Sequence, residues 1–176
     1  MKSTIILYST REGQTHKIAR FMAEQIGSDS CELVDLHQAD DLDLSLYSNI
    51  IIGASIRYGH FNKKLYQFIE QHKAHLISAG ASFYSVNLTA RKPGKDTPEG
   101  SVYIQKFLKR SPWQPKYIGV FAGGLYYPRY SWFDRVMIRF IMSMTDGETD
   151  TSKEVEYTNW EKVALFVKKV TEQSTK

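Results

Sequence analysis

The sequence predicts an α/β fold: a doubly wound, five-stranded parallel sheet in a single domain, with a long helical insertion after the fifth strand. Three observations carry this. Five short apolar runs recur along the 176 residues with helical patterns between them. The first run, Ile5-Ile6-Leu7-Tyr8, passes straight into Ser9-Thr10-Arg11-Glu12-Gly13-Gln14-Thr15 and then into a helical pattern, which is the order strand, anion loop, helix. The alternation is broken once, between Leu125 and Tyr157, where a short connection becomes a long one.

Strands are expected at Thr4–Tyr8, Cys31–Leu36, Asn49–Gly53, Ala81–Val86 and Lys116–Phe121, each a brief apolar run without sustained polar alternation, as a strand covered on both faces requires. Helices are expected at Gln14–Ile26, Asn62–His75, Ser101–Lys109 and Asn159–Thr171, where apolar residues return at helical spacing. No repeat, low-complexity tract or Pro/Gly-rich linker divides the chain. One domain over 1–176, with an insertion at 125–157, is the resulting organisation.

The first loop has the chemistry of a phosphate site. Gly13 lets the backbone approach an anion, while Ser9, Thr10 and Thr15 offer hydroxyl donors beside the unpaired N–H groups of a helix N-terminus. It lacks the G-x-x-x-x-G-K-[ST] of nucleotide-hydrolysing loops and the G-x-G-x-x-G of dinucleotide sites. A hydroxyl-and-backbone site suits a phosphomonoester held for positioning. A Ser/Thr turn that only caps the helix would use the same residues.

Ligands of doubly wound sheets sit at the carboxyl ends of the strands. Beyond the third strand lies Gly53-Ala54-Ser55-Ile56-Arg57-Tyr58-Gly59-His60-Phe61, beyond the fourth Ser85-Val86-Asn87-Leu88-Thr89-Ala90-Arg91, and beyond the fifth Ala122-Gly123-Gly124-Leu125. Their small residues admit a planar ligand, Tyr58 is placed to pack on its face, and Arg57 to stabilise an anionic ring. Separately, each has a plainer use: Gly53 and Gly59 in tight turns, Tyr58 on the sheet edge, Arg57 and His60 as surface groups. It is their joint placement that points to a site.

Composition narrows the chemistry. Cys31 is the only cysteine and the five histidines are scattered, so neither a disulfide nor a metal centre is expected. Met1-Lys2-Ser3 leads directly into the first strand, and the expectation is a protein without a signal peptide, on the cytosolic side. A formal net charge of +4 with eleven tyrosines, nine phenylalanines and three tryptophans suits an anionic, interfacial partner. Basic residues are not gathered on a recognition element, which argues against nucleic acid.

Within the insertion, Tyr126–Arg135 leads into an apolar helical stretch, Val136–Met144. At helical spacing Phe133, Val136, Met137, Phe140, Ile141 and Met144 share one face, while Arg135 and Arg139 lie on the other, into which Ile138 and Met142 intrude. The stretch is shorter and more charged than the about 20 apolar residues of a membrane span. Three uses stay open: packing on its own domain or a partner subunit, lying in a membrane interface, and covering a substrate. Aromatic and methionine residues here lie beside Arg129, Arg135 and Arg139.

The loop Ser9-Thr10-Arg11-Glu12-Gly13-Gln14-Thr15 resembles the phosphate loop of flavodoxin-like FMN proteins, although many of these carry smaller residues where Arg11 and Glu12 stand. Ile52–His60, Phe83–Leu88, Ala90-Arg91-Lys92-Pro93, Tyr127-Pro128-Arg129-Tyr130 and Gly147-Glu148-Thr149-Asp150-Thr151 make the chain similar to the bacterial menaquinone-dependent protoporphyrinogen IX dehydrogenases over nearly its whole length. The resemblance implies FMN, its phosphate on Ser9, Thr10, Arg11, Glu12, Gly13, Gln14 and Thr15. It implies ring contacts from Ser55, Ile56, Arg57 and Tyr58, from Ser85, Val86, Asn87 and Leu88, and from the Gly123-Gly124 turn. It further implies oxidation of protoporphyrinogen IX with electrons passed to menaquinone or ubiquinone, and a peripheral position on the cytoplasmic side of the bacterial inner membrane. Given that substrate, Arg129, Trp132, Phe133, Arg135, Met137, Arg139 and Phe140 are the expected substrate or membrane contacts: aromatic and methionine surface beside the arginines suits a flat tetrapyrrole with propionates, with Arg129 the expected propionate grip. A homo-oligomer stays open. No side chain is assigned as a general base. An NAD(P)H:quinone reductase or a flavodoxin-type electron carrier would share the fold.

Overall fold

The computed structural model describes residues 3–172. Five parallel strands form the sheet: β1 (Thr4–Ser9), β2 (Cys31–Asp35), β3 (Asn49–Ser55), β4 (Ser82–Asn87) and β5 (Ile118–Ala122), in the order β2-β1-β3-β4-β5. The chain therefore winds outward from β1 in both directions, and the switch point falls between β1 and β3. Alternation along the strands builds two cores. Ile5, Leu7, Ile50, Ile52 and Phe83 face α2 (Lys63–Ser78) and α3 (Val102–Arg110), whereas Ile6, Ile51, Tyr84 and Phe121 face α1 (Gln14–Ile26) and α5 (Trp160–Thr171). Both faces are covered, which is why the strands read as unbroken apolar runs.

Element ends differ from expectation for local reasons. β2 stops at Asp35 because its carboxylate accepts from His37 N–H at 2.9 Å and turns the chain at Leu36. β3 runs past Gly53 to Ser55 because β4 extends alongside it, pairing Ser55 with Val86.

The insertion after β5 is not helix alone. Two three-residue strands, β6 (Gly124–Tyr126) and β7 (Glu154–Glu156), pair antiparallel and make a small platform; Gly124, expected in a turn, begins the first of them. Between them α4 (Trp132–Met144) starts at Ser131, whose side chain accepts from Asp134 N–H. The side of this helix that packs on the domain is the one expected to be polar, where Ile138 and Met142 intrude. Ile138 (6% exposed) and Met142 (1%) are the residues buried, against Leu125, Tyr127 and Tyr130. Phe133 (62%), Phe140 (60%) and Met144 (69%), with Trp132, Val136 and Ile141, lie open. One helix over a narrow two-stranded platform has a single covered seam, so the wider apolar stripe has nothing to pack on. No helix among the described residues is long and apolar enough to cross a membrane.

Candidate functional site

The loop after β1 is held from below by a pair the sequence places far apart. Tyr84, fully buried in β4, crosses under Gly53 of β3, where any Cβ would collide with its ring, and its hydroxyl donates to Thr15 O at 3.1 Å. That bond fixes the first turn of α1. Gly13 adopts φ 95°, a left-handed conformation that glycine takes without strain, and its N–H donates to Thr10 Oγ1 at 3.0 Å. No side chain caps α1, so its first N–H groups stay available, and the Thr15 hydroxyl is buried with no partner. Thr10, Glu12, Gln14 and Thr15 border one cavity.

Three other expected phosphate contacts are placed differently. Ser9 is the last residue of β1 and buried, within 3.4 Å of His37 Nε2. Arg11 points outward to Asp134 at 3.9 Å. Gln14 borders the cavity but its amide is committed: Tyr126 OH donates to its Oε1, and its Nε2 donates to Thr158 Oγ1 at 2.9 Å and Glu156 at 3.1 Å. It ties the loop to the β6–β7 platform.

Across the cavity stand Ser55, Ile56, Arg57 and Tyr58 from the end of β3, with Val86, Asn87 and Leu88 from β4 and Gly123 and Gly124 after β5. The expected convergence is present. Ser85 is the exception, fully buried within the sheet and off the cavity wall. Tyr58 and Gly59 both have positive φ (49° and 82°), closing a tight turn bridged by Arg57 and His60. Asn87 Oδ1 accepts from Ala90 N–H at 2.9 Å, which fixes the amide so that its buried Nδ2 donor is left without a partner.

Arg57 joins three segments. Its guanidinium ion-pairs with Glu12 of the first loop and with Asp134 of α4 at 3.1 Å, between the rings of Tyr58 and Tyr130 at 5.2 Å each. Its charge, expected to stabilise a ligand ring, is shared with two carboxylates. Burial raises the Glu12 carboxyl above its ordinary value despite Arg57 and Arg11. Hydrogen bonding from Tyr58 OH, with help from Ser131 and Arg57, lowers that of Asp134.

The other end of α4 is pinned as well. Arg91, after β4, donates to Leu88 O at 2.8 Å and to both Thr145 O and Thr145 Oγ1 at 3.0 Å. Held at Asp134 and at Thr145, α4 straps the cavity, and Ile138, Ile141, Met142 and Thr145 form part of its wall. These residues, with Arg91, Lys92, Tyr103 and Tyr130, were not foreseen as site residues. Arg91, Lys92 and Tyr130 lay in segments that carried the resemblance, but no spacing rule connects positions 91 and 145.

The expected substrate contacts divide. Arg129 does not line the cavity: its guanidinium meets Glu154 at 2.8 and 3.0 Å and lies over the Tyr126 ring, because the β6–β7 pairing brings them together. Arg135 donates to Tyr127 O and Tyr130 O at 3.2 and 3.4 Å, a tie that fixes the helix. Trp132, Phe133, Met137, Arg139 and Phe140 lie off the cavity wall.

The donor set suits a ligand with a phosphate at one end, met by the Thr15 and Thr10 hydroxyls and the open helix N-terminus, and a flat ring at the other, met by the Asn87 amide. Residues 5–152 match the family model described as a flavodoxin domain, which brings a flavin. The fold is that of flavodoxins: flavodoxin 2 from Bacillus cereus aligns with a TM-score of 0.54 at 16% identity, covering 98% of this chain and 99% of that one. A flavodoxin from the Archaea aligns with a TM-score of 0.52 at 12% identity, covering 100% of both. Among curated proteins, the protoporphyrinogen IX dehydrogenase (quinone) of Escherichia coli K12 is 46% identical over 95% of this chain and 93% of its own length. The protein of that name from Leishmania major is 46% identical over 92% of this chain and 71% of its own. The chain belongs to the flavodoxin-domain family, beside the proteins named protoporphyrinogen IX dehydrogenase (quinone).

Proposed function

We propose that this protein oxidises protoporphyrinogen IX to protoporphyrin IX with FMN as its flavin and passes the electrons to a quinone, working peripherally at an anionic membrane surface. The observation that carries the reading is the 46% identity over 95% of the chain to a protein named for that reaction. The cavity supports it, with unpartnered buried donors at both ends and an apolar strap across it.

Bound FMN supplies the electron-acceptor chemistry, in two-electron steps. The chain supplies placement. Thr10, Thr15 and the first turn of α1 hold the phosphate; the absence of a lysine in this loop fits a phosphate that is kept and not cleaved. Asn87 offers a fixed donor to an acceptor on the ring. Ile138, Ile141 and Met142 keep water from the reacting face. On the outer side of α4, Trp132, Phe133 and Phe140 with Arg139 suit insertion among anionic headgroups, where a quinone is reached.

The test is anaerobic turnover. Purified protein should release FMN on denaturation and, with a menaquinone analogue, convert protoporphyrinogen IX to fluorescent protoporphyrin IX. Quinone reduction driven only by NAD(P)H, with the porphyrinogen untouched, would overturn the reading.

A further inference from the structure

The cavity is longer than the segments that suit the flavin. Past Leu88 its wall continues through Thr89, Arg91 and Lys92 to Tyr103 of α3, and faces Ile141 and Met142 of α4. One side of this outer end is apolar and the other cationic. Glu12 is the one carboxylate among the residues lining the wall and is committed to Arg57, and among the described residues neither Arg91 nor Lys92 forms an ion pair.

The two cations differ in what their donors do. Arg91 spends its guanidinium on Leu88 O and Thr145, tying the turn to α4. Lys92 has no such engagement. Its backbone is fixed, because its N–H donates to Thr89 O at 3.0 Å and Pro93 follows. Lys64 and Lys162 have carboxylate partners, but among the described residues none pairs with Lys92, although it is half-buried. A cation partly removed from water on an apolar wall is stabilised by an arriving anion.

We propose that Lys92 binds a propionate carboxylate of the tetrapyrrole while Ile141 and Met142 cover the macrocycle, which places the substrate between the β4–α3 connection and α4. This rests on the porphyrinogen reading above. It gives Lys92 the role expected of Arg129, whose guanidinium is held by Glu154 of β7.

The experiment measures binding of protoporphyrin IX and of its dimethyl ester to the FMN-loaded protein, as wild type, Lys92→Met and Lys92→Arg. Losing one charge-assisted hydrogen bond should weaken protoporphyrin IX by about ten- to a hundredfold in Lys92→Met. The ester, which has no carboxylate, should change by less than about twofold, and Lys92→Arg should recover most of the affinity for the acid. In turnover, Lys92→Met should raise KM for protoporphyrinogen more than it lowers kcat, with the flavin absorption spectrum retained. Equal affinity of wild type and Lys92→Met for the acid, or equal losses for acid and ester, would overturn the Lys92 assignment alone. A wild-type protein that binds neither ligand and leaves protoporphyrinogen unoxidised would instead remove the porphyrinogen reading.

Discussion

At the scale of single residues, the site is organised by groups that position other groups. Gly53 exists to clear the Tyr84 ring, and Tyr84 exists to hold Thr15 O. The result is a threonine hydroxyl buried with no protein partner, at an uncapped helix end. Thr15→Ala should therefore weaken FMN by about 1.5–3 kcal/mol, roughly ten- to a hundredfold, measured by fluorescence titration of the apoprotein. Unchanged affinity would detach the phosphate from this loop. The glycine turn at the head of α1 and the place of Thr10 and Thr15 beside the cavity were legible because a strand, a loop with glycine and hydroxyls, and a helix follow in that order. Ser9 and Gln14 were not separable from them in sequence, since whether a hydroxyl or amide reaches a ligand depends on His37, Tyr126 and Thr158, which only the fold brings close.

At the scale of elements, α4 carries the departures from expectation. Its sequence is apolar around much of its girth, so helical periodicity located the stripe but not which side would be covered. The platform of β6 and β7 decided it, and strands of three residues leave almost no sequence signal. The strap is fastened at its N-terminal end by Asp134 to Arg57 and Tyr58. Because the native carboxyl of Asp134 lies below its ordinary value, the fastening is present above about pH 4 and is lost as pH falls through the lowered value. Glu12 shifts the other way: its raised carboxyl favours the protonated form, so its contribution stands at low pH and is lost as pH rises through the raised value. Hydrogen-exchange protection of α4 amides, corrected for intrinsic rates, should be high at pH 7 and fall below about pH 4, whereas Asp134→Asn should show the low protection already at pH 7. A pH-independent protection pattern in both proteins would mean that the helix is held by its apolar seam alone. The outer stripe makes a separate prediction: Arg139→Gln should weaken partition onto anionic vesicles by about 1 kcal/mol at low salt, and Phe140→Ser should weaken it at any salt. Wild-type protein that stays off anionic vesicles while pairing with a second copy would assign the stripe to a subunit interface.

At the scale of the whole molecule, the sheet and the insertion divide the work. The five strands and their order were readable because a parallel sheet covered on both faces leaves uninterrupted apolar runs, Ile5-Ile6-Leu7 and Ile50-Ile51-Ile52 among them, separated by amphipathic helices. Their carboxyl ends brought the expected segments together around one cavity. The far wall was not readable, since it is built by Arg91 reaching Thr145 and by Arg57 reaching Asp134, contacts across 54 and 77 positions of chain that no local pattern encodes. In the proposed reading the sheet holds the flavin, and the strap gives the cavity a second, apolar and cationic compartment for a tetrapyrrole. Anaerobic stopped-flow mixing tests that division most directly, by following the absorbance of the bound flavin after addition of protoporphyrinogen IX or of NAD(P)H. The account predicts rapid bleaching by protoporphyrinogen, recovered on adding quinone, and no comparable bleaching by NAD(P)H; bleaching by NAD(P)H alone would contradict it.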